Sequence, residues 1–146
     1  MKKYQFNFSD FKILRVDFSV NKEFTPPDKN ETVEISSRID TGHEEDGNRL
    51  TVSLGVYLDS DHVPFDISIE CVGVFTFSES LDQYKSEFIE EVANVNCAAI
   101  IFPYLRETVA DLTRRAGFPP LHMPPVNFVE IFKRSKKTEI KNSNKN

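Results

Sequence analysis

In residues 50–58 every second side chain is aliphatic: Leu50, Val52, Leu54, Val56 and Leu58 alternate with Thr51, Ser53, Gly55 and Tyr57. A spacing of two puts the aliphatic set on one face of a pleated strand, so this stretch predicts a strand buried on one side. Residues 65–77 repeat the pattern with Phe65, Ile67, Ile69, Cys71, Phe75 and Phe77, while Val72 and Val74 make the second face partly apolar. Val33, Ile35 and Ile39 carry the same phase in VEISSRID, residues 33–40. A fourth strand is predicted over residues 11–20, FKILRVDFSV, with a phase change between Ile13 and Val16 that reads as a bulge. The polar segments GHEEDGN (42–48) and DSDHV (59–63) predict turns of an antiparallel meander. TPPDKN (25–30) predicts a crossing loop, because proline removes a ladder donor.

After residue 78 the period changes. Leu81, Tyr84, Phe88 and Val92 are three or four apart and predict a first helix over residues 79–92, capped by Ser78 or Ser80. A stronger helix is predicted after Asn96, with Ile101, Leu105, Val109, Leu112 and Ala116 as its stripe. Pro103 is tolerated in a first turn, which places the start near Ile101 or Phe102. Gly117 ends it. The prolines of FPPLHMPP follow, and VNFVEIFKR then predicts a shorter helix with Asn127 as a possible cap. The expected fold class is α+β: a four-stranded antiparallel sheet followed by a long helix and a shorter C-terminal helix. With 146 residues there is room for one domain around one core.

The charge is unevenly placed. Residues 133–146 hold six Lys or Arg (Lys133, Arg134, Lys136, Lys137, Lys141, Lys145) against Glu139, a net of +5 in a chain of −5, so the body carries about −10. An acidic body argues against nucleic acid as a partner, and the basic end reads as a disordered, solvated tail. The N-terminal residues lack the apolar stretch of a signal peptide, and no apolar run approaches membrane-spanning length. A soluble, cytoplasmic protein with no membrane insertion is expected.

Reactive chemistry is thin. His43, His62 and His122 fall in predicted loops with no metal-ligand spacing. Cys71 alternates with core residues, Cys97 lies near a helix start, and neither has a histidine partner that sequence order identifies. Glu44, Glu45 and Asp46 lie in a turn and Glu90 with Glu91 on a helix, both reading as solvated charge. The five glycines are scattered singly, so no phosphate loop exists. The expectation is a non-enzyme with no catalytic residue, metal site or cofactor. Thirteen Phe and no Trp either fill a core or line a surface for apolar partners.

Residues 96–132, NCAAIIFPYLRETVADLTRRAGFPPLHMPPVNFVEIF, resemble the SecB family of export chaperones. The resemblance rests on FPYLRE at 102–107, GFPPL at 117–121, and PVNF at 125–128 with Phe132. Fainter echoes are GVFTF at 73–77 and FKILRV at 11–16, so it spans roughly residues 11–132. It implies one domain over residues 1–132 that assembles as a homotetramer, a dimer of dimers. In such an assembly the long helix lies in the oligomer interface, which here involves Phe102, Tyr104, Leu105, Val109 and Leu112. The resemblance also implies an ATP-independent holdase that binds unfolded polypeptide clients in apolar grooves. Phe24, Ile35, Ile39 and Phe65 match the family's groove-lining places, with Phe128 and Phe132 nearby.

The departures from the family pattern are specific. Export members contact the translocase motor SecA through acidic residues on the exposed sheet face. Those places hold Asn21, Thr25 and Ser68 here, with Asp66 adding an acid where an apolar residue is usual. The crossing loop is shorter and lacks Trp, and the tail is basic rather than acidic. These differences fit the SecB-like chaperones of toxin–antitoxin operons, whose client is an aggregation-prone antitoxin. A dedicated client is therefore the leading expectation, with general export and a non-chaperone oligomeric scaffold as alternatives.

Overall fold

The computed structural model describes residues 5–25, 37–58 and 63–143. Four strands form one antiparallel sheet in the order β1-β4-β3-β2, with β1 at Phe6–Val20, β2 at Arg38–Asp46, β3 at Arg49–Leu58 and β4 at Phe65–Phe77. The two alternating runs are the central strands. Leu50, Val52, Leu54, Val56, Ile69, Cys71 and Phe75 are at most 1% exposed, as the period of two requires.

β1 keeps its apolar side chains on the core face by breaking register twice, between Phe8 and Asp10 and between Ile13 and Arg15. Each break leaves one residue unpaired and resets the phase, so Phe6 and Phe8, then Phe11 and Ile13, then Val16 and Phe18 all oppose core residues of β4. The second break is the one the sequence predicts. The first is invisible without the partner strand, and β1 starts five residues before the predicted Phe11.

The hairpin of β2 and β3 departs from expectation. Residues 42–46, read as part of a turn, continue β2 and pair with β3 up to Asp46↔Arg49. The loop is only Gly47-Asn48, with Gly47 at φ 61°, where glycine meets no Cβ penalty. Pairing outweighs the poor strand propensity of Glu44, Glu45 and Asp46, whose side chains stay in water on an edge strand. His43 accordingly lies on an exposed strand. Val33, Ile35 and His62 lie outside the described residues.

The helical third also differs. A 3₁₀ turn at Leu81–Gln83 buries Leu81 and donates its N–H to the Gly47 carbonyl at 2.8 Å, tying the hairpin tip to the end of β4. Helix α1, Ser86–Glu91, then passes through a π-helical turn, Val92–Cys97, into α2, Ala98–Arg115. The predicted break near Asn96 does not occur. In the π turn Asn94 donates its side-chain amide to the Glu90 carbonyl at 2.8 Å and accepts from Thr41 of β2 at 2.5 Å. Pro103 therefore lies inside the continuous helix rather than in its first turn. Its missing bond is outweighed by burial of Ile101, Leu105 and Val109 in the core and of Phe102 against Phe128. At 30 residues, Ser86–Arg115 is long and apolar enough to span a membrane by length and composition alone, as core helices of soluble proteins also can be. Its apolar stripe is spent on the sheet instead. Gly73 sets how closely the layers meet: a Cβ there would lie 2.8 Å from Ile101 Cδ1 and 3.0 Å from Phe8 Cε2.

Candidate functional site

The proline-rich segment leaves α2 through a Schellman turn. Gly117, at φ 96°, donates to the Arg114 carbonyl at 3.1 Å, and Phe118 donates to the Thr113 carbonyl at 3.0 Å. The chain then runs back along α2. The Thr113 hydroxyl accepts the Leu121 N–H at 2.9 Å, and the Arg106 Nε donates to the Met123 carbonyl at 2.9 Å. Met123 is buried, and Phe128 meets Phe102 edge-on at 5.6 Å. Proline brings no N–H that would need a partner, so four prolines let an irregular strap lie against a helix with few unsatisfied donors. The prolines do more than end the helix: they carry the chain back toward the start of α2.

At Phe128 the strap becomes α3, Phe128–Ser143, capped by Asn127, whose Oδ1 accepts the Glu130 N–H at 3.1 Å. α3 is longer than the pattern VNFVEIFKR suggests, and residues 133–143, expected as a disordered tail, are helical. Lys and Arg are good helix formers, and Glu130 pairs with Arg134 at 3.7 Å one turn on. Lys136 ties the helix to α1 by an ion pair with Glu90 at 2.7 Å. Hydrogen bonding to Glu90 raises the Lys136 pKa.

The strap and the sheet enclose apolar clefts. One small cavity of about 80 Å³ lies between Ser37, Leu58 and the strap residues Leu121 to Pro124. Beside it Phe65 stacks on Phe18 at 5.8 Å and meets Phe118 at 5.4 Å. An open groove of about 400 Å³ runs between Val95 and Ala99 on one side and Pro125 to Val129 on the other. On the opposite sheet face a cleft of about 670 Å³ is lined by Asp17, Arg38, Tyr57, Asp66 and Ser68 among others. There Arg38 lies 4.4 Å from the Tyr57 ring centroid, and the Tyr57 hydroxyl donates to Glu70 at 3.2 Å. Desolvation, then Glu70, raises the Tyr57 pKa.

The candidate residues divide by burial. Phe24 and Ile39 are half-buried at the end of the sheet, and Phe132 is half-buried on α3 beneath Lys136, 5.6 Å from its ring centroid. Ile35 lies outside the described residues. Phe65 and Phe128 are 4% and 5% exposed, so they are packed within the protomer and have little surface left for a ligand. A similar correction applies to α2. Phe102, Leu105 and Val109 are buried on their own sheet and Phe128, because the helix spends its main stripe inside the protomer. Leu112 is half-buried, while Tyr104, 45% exposed and stacked on Phe11 at 5.0 Å, faces outward with Ile100. Ile13, Val16 and Val20 on the core-side face of edge strand β1 are also uncovered, and sequence reading missed them. Their alternation was legible, but not that α2 meets β1 at Phe8 and Phe11, through Tyr104, and leaves these three open.

Cys71 and Cys97 are free and buried, and desolvation pushes both thiols up to about 12, leaving them protonated near neutrality. Among the described residues no group of three His, Cys, Asp or Glu side chains could hold a metal ion.

Comparison with known proteins agrees with this architecture. A fold match with a TM-score of 0.61 at 19% identity covers 83% of this chain and 90% of a SecB-like chaperone of Mycobacterium tuberculosis, solved in complex with a ChAD peptide from the HigA1 antitoxin. The protein-export protein SecB of Neisseria meningitidis serogroup C is 32% identical over 111 residues, 73% of each chain. An uncharacterized protein of Methanocaldococcus jannaschii is 25% identical over 151 residues, covering 98% of this chain and 92% of its own. The family model described as preprotein translocase subunit SecB matches residues 12–139, and the chain belongs to the SecB family.

Proposed function

We propose that this protein is an ATP-independent holdase of the cytoplasm that keeps unfolded or aggregation-prone polypeptides from aggregating, and that its client is a dedicated one such as an antitoxin. The observation that carries the holdase reading is the apolar surface left on a folded protomer of this family: Ile13, Val16 and Val20 on β1, Ile100 and Tyr104 on α2, and the groove beside Val129. Such surface serves either self-association or apolar partners. A homotetramer places part of it between protomers and leaves the remainder for clients. Light scattering of an unfolded client at 25 °C, with and without the protein, tests the reading; undiminished aggregation at excess protein speaks for an oligomeric scaffold. Mass measurement in solution should show a tetramer at micromolar concentration.

The outer sheet face favours the dedicated client over general export. Asn21 serves a turn, its Oδ1 accepting the Glu23 N–H at 3.1 Å and its N–H donating to Pro64 at 2.7 Å. Thr25 and Ser68 are uncharged, and in the neighbouring cleft Asp17 is paired with Arg15 at 2.6 Å. Interfacial charge sets encounter rate and partner choice, so uncharged residues at three of the places where export members carry acids make a poorer match for a basic docking partner, although Asp66 and Glu70 stand on the same face. Calorimetry with SecA is expected to show weak, salt-insensitive binding or none. A tight, salt-sensitive complex would return the balance to general export through Asp66 and Glu70.

A further inference from the structure

α3 uses its cations in two ways. Lys136 turns inward to Glu90 and Glu139, at 2.7 and 3.3 Å, and Arg134 is paired with Glu130. Lys133, Lys137 and Lys141 are exposed and, among the described residues, take part in no ion pair. Spaced four apart, they form one row along the helix with successive steps of about 6 Å. Val129 begins the same row and lines the apolar groove of about 400 Å³. The row therefore leads out of an apolar groove and stands on a body of about −10 net charge.

We propose that this row docks an extended acidic segment of a client polypeptide, whose neighbouring apolar side chain enters the groove between Val95, Ala99 and Val129. The spacing is the first argument. In an extended chain, alternate side chains on one face recur every ~6.6 Å, close to the lysine step, so carboxylates at every second position meet successive ammonium groups. The field is the second argument. An acidic body repels anions in general, so a short cationic row beside an apolar groove selects a local acidic segment attached to an apolar anchor. A nucleic acid presents charge over a longer track, and three lysines would release only about three counterions against a repelling body. The proposal rests on the holdase reading and specifies the chemistry of its client.

The test uses the full chain and two labelled peptides. Each carries a Leu-Phe pair followed by alternate glutamates in one peptide and alternate glutamines in the other. Fluorescence anisotropy at low salt should show the glutamate peptide binding about tenfold more tightly, a difference that disappears in high salt. The variant K133Q/K137Q/K141Q, at exposed positions where Gln keeps helix propensity, should lose that advantage and retain its affinity for the glutamine peptide. Equal affinities, or an unchanged preference in the triple variant, overturn the proposal. So does a triple variant that loses single-stranded DNA or anionic vesicles more than the peptide, or a salt-dependent self-association removed by the triple change. Binding of the glutamine peptide without acidic preference sinks this proposal alone. Failure of both peptides together with undiminished client aggregation sinks the holdase reading with it.

Discussion

Phe102→Ala is expected to lower the unfolding free energy by about 3–5 kcal/mol, independently of protein concentration. Phe102 is 4% exposed within one protomer and meets Phe128 edge-on at 5.6 Å. Truncation would open a cavity between α2 and the start of α3, weakening the strap at its far end as well as the core. Urea unfolding at two protein concentrations a hundredfold apart checks the assignment. A loss equal at both concentrations places Phe102 in the core. A loss confined to the dilute sample would mean that the side chain stabilises the oligomer, as the family resemblance implied. Tyr104→Ala offers the contrast: half-exposed and outside the main stripe, it should cost the fold less and the assembly more.

The combined substitution Phe24→Ser and Ile39→Ser is expected to weaken client binding about a hundredfold, and each alone about tenfold. Both side chains are half-buried, so each retains apolar surface that a client could cover. Covering half of a Phe or Ile is worth about 1–1.5 kcal/mol, and a long client that touches both places gains from each. The measurement is titration of a labelled unfolded client, run beside thermal melting and solution mass. An intact oligomer with nearly unchanged melting and the stated loss of affinity supports a groove. A large fall in melting temperature, with client affinity unchanged in the folded fraction, assigns both residues to the core.

Much of this protein was legible in order of residues alone. The alternation of Leu50 to Leu58 and Phe65 to Phe77 determined two strands and their buried faces, because side-chain direction in a strand depends only on parity. The phase change at Ile13 revealed the second bulge, Gly117 the end of α2, and Asn127 the cap of α3, each through a local backbone preference. The tertiary structure decided the rest. Residues 42–46 are strand because β3 pairs with them, against their own propensity. Ser86–Arg115 is continuous through a π turn and Pro103 because the sheet buries its stripe. Which apolar residues stay uncovered depends on where the helix layer ends over β1, and where α3 lies depends on the return of the chain to Glu90. These outcomes turn on contacts between residues distant in sequence, whose burial outweighs a local preference of a few tenths to one kcal/mol per residue.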